Sequence, residues 1–190
     1  LKTFVEIGSC DFGTLNHLYY DGWRGVIVEP VKRYLDRLEQ HPSIDYVNAA
    51  IDTKNGHRDL WICPDEYHEI SNDYKGMSSF YPDIHNGSVA GGELLNDEGK
   101  PVHTYKIEVP TITWETLIDM CDINHIDYLK IDTEGHDWEV LKQIDLKEIQ
   151  PKIIKIEHKH SGRKDEIRNY LMSNGYHCEE FYYDIMAFLK

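Results

Sequence analysis

Two short apolar runs joined through a glycine turn constrain this chain more than any other feature of it. The run TFVEIGSCDFGT at 3–14 reads as a strand over 3–7 that enters a turn at Gly8, and GVIVEP at 25–30 reads as a second strand ending in an acid. A strand, a glycine turn, a helix and a strand closed by a carboxylate make the first half of a nucleotide-binding α/β sheet. In that unit the turn approaches the ligand and the acid receives ribose hydroxyls. Glu29 falls 21 residues after Gly8, close to the ~20-residue spacing of such units. The adenosyl half of a cofactor is the first ligand to expect.

The remainder continues the alternation of β-rich runs and helical patterns, which predicts an α/β sandwich with a mainly parallel sheet. Helices are expected over 14–20 and 31–40, the latter stopped by Pro42. A third strand is expected over 45–51, running into Asp52. Strands follow at 58–63, 105–109, 126–131 and 153–157, with helices at 114–121, 136–144 and 164–173. Thr113 is placed to cap the first of these. Runs at 176–181 and 185–189 close the chain as an antiparallel pair at a sheet edge. About seven main strands result, in one domain over 1–190.

Residues 64–103 break the pattern, being polar and rich in Gly, Asn, Asp and Tyr. A stretch this long without periodicity inside a domain is expected to be an insertion or lid over a binding site. Ser78, Ser79 and His85 are its candidate contacts.

A net charge of −14 disfavours nucleic acid as a partner, because readers of phosphate backbones carry a basic face. The four cysteines, Cys10, Cys63, Cys121 and Cys178, contain no CxxC pair and read as reduced structural thiols. No apolar run approaches the ~18–20 residues of a membrane span, and no membrane partner is expected. The expected compartment is the cytoplasm; the oligomeric state is not legible.

Ligands of open α/β sheets bind beyond the carboxyl ends of the strands, and five predicted strands here end in acids. The strand ends are Gly8-Ser9-Cys10-Asp11, Glu29-Pro30, Ala50-Ile51-Asp52, Asp132-Thr133-Glu134-Gly135 and Glu157-His158. No GxGxxG and no GK[ST] is present, so neither a dinucleotide nor a nucleoside triphosphate loop is written. A ligand carrying positive charge suits carboxylates better, and S-adenosylmethionine carries a sulfonium and an ammonium.

VEIGSCDFGT, GWRGVIVEP, VNAAID and IDYLKIDTEGHDWEVLK, in this order, resemble the FkbM family of class I S-adenosylmethionine-dependent methyltransferases, the last stretch being the most specific. The resemblance implies a Rossmann-like methyltransferase sheet of seven strands and, for most members, methylation of hydroxyl oxygens on sugars or small natural products. It implies that Glu6, Gly8 and Ser9 meet the methionine part, with Cys10, Asp11 and Thr14 in the same turn. By the same resemblance Glu29 and Pro30 meet the ribose, Ala50, Ile51 and Asp52 lie at the adenine, and Asp132 follows the fourth core strand. Cys10-Asp11 and the position of Gly13 depart from the usual turn.

Methylation of a hydroxyl is helped by a base, for which Asp132, Glu134, His136, Glu157 and His158 are the candidates, Asp132 and Glu157 foremost. Asp132, Glu157 and His158 could instead hold a divalent cation. Histidines such as His158 and His160 are otherwise ordinary surface residues, and Asp132 and Glu134 could merely cap the following helix. The expected partner is a small-molecule or glycan acceptor. The rival readings are a non-catalytic binding module of the same fold and a nicotinamide-dependent oxidoreductase.

Overall fold

A computed structural model describes residues 1–65, 73–82 and 104–190. Its centre is a seven-stranded sheet in the order β3-β2-β1-β7-β8-β10-β9. The strands are β1 (Thr3–Ile7), β2 (Arg24–Val28), β3 (Ile44–Val47), β7 (Tyr128–Ile131), β8 (Ile153–Glu157), β9 (Tyr176–Phe181) and β10 (Asp184–Leu189). β1, β2, β3, β7 and β8 run parallel, while β10 is antiparallel to both β8 and β9. This is the mixed sheet with an antiparallel C-terminal strand that the sequence predicts.

The parallel strands are buried on both faces, which is why they read as continuous apolar runs. Side chains alternate across a strand, so Val5, Ile7, Val26 and Val28 face one layer with Trp114, Leu117, Leu141 and Leu171. Phe4 and Ile27 face the other layer with Leu15, Leu35, Leu38 and Ile44. Gly25 is required by that second layer, because a Cβ there would stand 2.2 Å from the Phe4 ring.

Three expectations are corrected. The strand expected over 45–51 breaks at Asn48-Ala49: β3 stays in the large sheet, and β4 (Ala50–Ile51) leaves it. β4 joins β6 (Tyr105–Ile112) and β5 (Gly56–Ile62) in a second sheet of order β4-β6-β5. The helix expected over 14–20 is a 3-10 helix, Asn16–Asp21, and that expected over 31–40 is one α-turn, Lys32–Leu35. Thr113 caps Trp114–Met120 as expected, its side chain accepting from Thr116 N–H at 3.1 Å. No helix among the described residues is long and apolar enough to cross a membrane.

Candidate functional site

Gly8 shows why the first turn cannot carry a side chain. It stands at φ +80°, and a Cβ there would fall 1.8 Å from the Asp132 carbonyl oxygen. β1 pairs directly with β7, so the turn after one strand lies on the backbone after the other. Cys10 follows at φ 50°, a conformation uncommon outside glycine. Its N–H donates to Glu29 Oε2 at 2.8 Å, and Val31 N–H donates to Glu29 Oε1 at 2.8 Å. A carboxylate offers about four acceptor positions, so Glu29 is fixed in place with one position left on each oxygen. Burial pushes its pKa up to about 7 against the pull of those two N–H groups.

Between these elements lies a cleft of about 740 Å³, open to solvent. Its floor is Gly8, Cys10, Glu29 and Pro30; an apolar wall comes from Ala50, Ile51, Leu60 and Phe80; Lys130, Asp132, Thr133, Glu134 and His136 close the far end. The small sheet supplies much of the apolar wall, through Ala50 and Ile51 of β4 and Leu60 of β5. Ser78 and Lys75 also reach the cleft. Ser79 is buried and donates its hydroxyl to the Glu134 carbonyl at 2.7 Å; His85 lies outside the described residues, as does most of the stretch 64–103.

The structure places other expected residues behind the cleft wall. Glu6 is fully buried, accepting from Lys130 Nζ at 3.1 Å, Leu15 N–H at 3.0 Å and the Thr14 hydroxyl. Lys130 is its register partner on β7, and the same ammonium stands 3.4 Å from Asp132. Ser9 is buried and turns its hydroxyl to the Cys10 carbonyl. Asp11 is tied to Arg37 and Lys75 at 3.2 and 3.3 Å. Lys130, absent from the sequence reading, gives the far end of the cleft a cation among the acids. Asp132 is pushed up by burial, with Lys130 opposing.

Asp132 and Glu134 do not cap the next helix. The helix Asp137–Leu141 has no side-chain cap; the Asp137 carboxylate instead fixes the turn before it, accepting from Thr133 N–H at 2.9 Å and Gly135 N–H at 3.0 Å. Its burial drives its pKa to about 8.

Two histidines organise the remaining polar groups. His136 is buried, with Nε2 3.1 Å from Asp52 Oδ1 and Nδ1 2.9 Å from the Tyr81 hydroxyl. Burial holds its pKa below the ordinary value, Arg58 adding to the effect and Asp52 opposing it. Burial disfavours charge on Asp52, yet the Thr53 N–H and the Arg58 guanidinium at 3.2 Å outweigh it and hold Asp52 ionised. Asp52 thus faces His136 and Arg58 and is not on the cleft wall. His160, by contrast, lies between two acids, with Nδ1 2.7 Å from Glu134 and 3.2 Å from Glu157. Burial would lower its pKa, but hydrogen bonds to both carboxylates raise it to about 9.

Among the described residues, the side chains spaced to hold a metal ion are Glu134, Glu157 and His160, with one ligand atom of each within 4.8 Å of the others. The cation set expected from sequence, Asp132, Glu157 and His158, is not the one gathered. His158 donates its N–H to the Tyr183 carbonyl of the β9–β10 hairpin at 2.8 Å, and the buried imidazole two residues on takes its place beside Glu157. A second cavity, open to solvent, adjoins this cluster, lined by Tyr81, Gly135, Trp138, Glu139, His160 and Arg163. The cavity and the main cleft adjoin: Phe80 and Glu134 border the main cleft, and their chain neighbours Tyr81 and Gly135 border the second cavity.

A family model described as the methyltransferase FkbM domain matches residues 6–178. No curated protein sequence matches the chain. Of solved structures, one similar in fold is titled as a fibrillarin/Nop5p complex. It is 11% identical with a TM-score of 0.45 over 100% of this chain and 73% of that one. Another is a putative methyltransferase from an antibiotic biosynthesis pathway of Anabaena variabilis ATCC 29413. It is 12% identical with a TM-score of 0.43, over 95% of this chain and 58% of that one.

Proposed function

The chain belongs to the FkbM methyltransferase family, and from that premise we propose that it transfers a methyl group from S-adenosylmethionine to a hydroxyl oxygen of a sugar, glycan or small natural product. The observation that carries the cofactor reading is Glu29, a buried carboxylate held by two backbone N–H groups with an acceptor position left on each oxygen. Paired ribose hydroxyls fit those positions.

The rest of the cleft suits the same molecule. Ala50, Ile51, Leu60 and Phe80 offer an apolar slot for a purine. Lys130 and Asp132, side by side at 3.4 Å, offer opposite charges to the carboxylate and ammonium of an amino-acid end. The Gly8 turn, packed on the Asp132 backbone, lines the same cleft. When bound, the sulfonium supplies an electrophilic methyl group. The protein's part is to fix the acceptor oxygen in line with it and to provide a route for the acceptor's proton.

Titration calorimetry with S-adenosylhomocysteine tests this reading. Glu29→Gln should weaken binding by about 1.5–3 kcal/mol, the range for hydrogen bonds to a charged group. The wild-type protein should bind less tightly as pH falls through about 7, because a protonated Glu29 surrenders acceptor positions. Equal affinity in both proteins removes Glu29 from the site. Binding of a nicotinamide cofactor in place of S-adenosylhomocysteine would favour an oxidoreductase.

A further inference from the structure

Tyr81, His136 and Asp52 come from three separate segments and form one hydrogen-bonded chain, anchored at Asp52 by the Thr53 N–H and by Arg58. Asp52 Oδ2 accepts from Arg58 at 3.2 Å while Oδ1 faces His136 Nε2 at 3.1 Å. An ionised carboxylate only accepts, so Nε2 carries the ring proton. A neutral imidazole has one such proton, which leaves Nδ1 as an acceptor and makes the Tyr81 hydroxyl the donor at 2.9 Å.

The rest of the neighbourhood holds the chain rigid. Phe80 packs edge-on to the imidazole at 5.0 Å, and the Arg58 guanidinium covers Phe80 at 4.1 Å. Tyr81 is fixed through Ser79, whose backbone exchanges two hydrogen bonds with Trp61, at 2.8 and 2.9 Å. The Ser79 hydroxyl also accepts from Tyr81 N–H at 3.1 Å. His136 borders the main cleft and Tyr81 borders the second cavity, so the chain of hydrogen bonds passes from one to the other.

We propose that the second cavity receives the methyl acceptor and that Tyr81 and His136 carry away its hydroxyl proton, with Asp52 positioning the imidazole. This rests on the methyltransferase reading above. The acceptor oxygen forms its bond to the methyl carbon while the carbon–sulfur bond breaks, its electron pair staying on sulfur. The acceptor's proton passes to the Tyr81 oxygen as the Tyr81 proton passes to His136 Nδ1. The resulting imidazolium faces the ionised Asp52, and the proton later returns to solvent through Tyr81. Tyr81 and His136 are catalytic residues in this account; Asp52 and Arg58 are positioning residues. Trp138 and Glu139, on the cavity wall, supply an apolar face and a hydrogen-bond acceptor to a hydroxylated ligand.

Nitrogen NMR of the ¹⁵N-histidine-labelled protein without cofactor tests the hydrogen-bonded chain directly, with His136→Asn to assign the resonances. At neutral pH His136 should show a protonated Nε2 and an unprotonated, hydrogen-bonded Nδ1, and Tyr81→Phe should shift the Nδ1 resonance alone. A proton on Nδ1 overturns the proposal. Turnover is then measured with labelled S-adenosylmethionine and the methyl glycosides of glucose, rhamnose and fucose. Tyr81→Phe should lower kcat by about 10²-fold or more, leaving KM for the glycoside, S-adenosylhomocysteine affinity and melting temperature unchanged. Near-native kcat in that variant overturns the relay and leaves the methyltransferase reading standing. A wild-type protein that fails to bind S-adenosylhomocysteine overturns the methyltransferase reading instead. Methylation of none of these glycosides by a protein that binds S-adenosylhomocysteine overturns the second cavity as the site of a hydroxylated acceptor.

Discussion

His136 and His160 stand on the two edges of one turn-rich region, each buried and each facing carboxylate, yet they are held in opposite charge states. His136 meets one acid that already has Arg58 as its counterion. Its ring therefore gains little by protonation, and burial keeps it neutral. His160 meets two acids with its Nδ1, and their combined pull overcomes burial. Count of counterions, more than depth, decides which imidazole is a base and which is a cation. A neutral ring with an acceptor nitrogen can receive a proton; a ring charged up to about pH 9 can only hold its neighbours together. The sequence offers both as histidines after strand ends, and nothing local to either separates them.

The contrast breaks most easily at His160. His160→Ala leaves Glu134 and Glu157 facing each other without the imidazolium between them. Loss of one partner from a buried ion pair costs about 3–5 kcal/mol, read as a fall in the urea midpoint at neutral pH. His136→Ala should cost less, about 1–3 kcal/mol, because Asp52 keeps Arg58 and the Thr53 N–H. Equal losses in the two variants would mean that the two imidazoles carry the same charge.

A smaller effect sharpens the same difference through pH. His160 has a folded pKa raised from 6.5 to about 9. Its stabilisation is complete below 6.5 and is lost as pH rises through about 9. Glu134, raised from 4.5 to about 7, binds extra protons in the folded state between those values, so its contribution is lost before the alkaline loss of His160 begins. His136 has a folded pKa lowered from 6.5. Its contribution is present above 6.5 and is lost as pH falls through the folded value. Unfolding free energy measured across this range should slope down on the alkaline side in wild type and flatten there in His160→Gln. An alkaline slope that survives His160→Gln places its origin elsewhere.

What was legible in the sequence is what depends on neighbours along the chain. The Gly8 turn, the acid at Glu29, the Thr113 cap and the antiparallel last strand each follow from a few adjacent residues, and each stands where it was expected. The departures arise from pairings between distant segments. β4 is two residues long, and its move to the second sheet depends on register with Thr111 and Ile112. Lys130 stands beside Glu6 only because β1 and β7 are neighbours in parallel register, which no periodicity records. Asp52 and His136 are 84 residues apart, and His136 and Tyr81 are 55 apart. His160 stands beside Glu157 in place of His158, whose backbone is held by the hairpin carbonyl of Tyr183, a contact that continues the β8–β10 pairing between segments distant in sequence.

The smallest effect concerns metal. Glu134, Glu157 and His160 have the spacing of a ligand set, and two oxygens with one nitrogen suit a divalent cation of the harder kind. Any such ion must compete with the proton on His160, since a nitrogen that is already protonated cannot donate a lone pair. The imidazolium also supplies the positive charge that the two carboxylates need. Magnesium at neutral pH should therefore leave the melting temperature unchanged, and EDTA should leave both melting temperature and methyl transfer unchanged. A clear stabilisation by magnesium, reversed by EDTA and absent in His160→Gln, would show instead that the cluster is a cation site. His160 would then be an unprotonated ligand, and the difference from His136 would lie in what each ring binds, with no difference in charge.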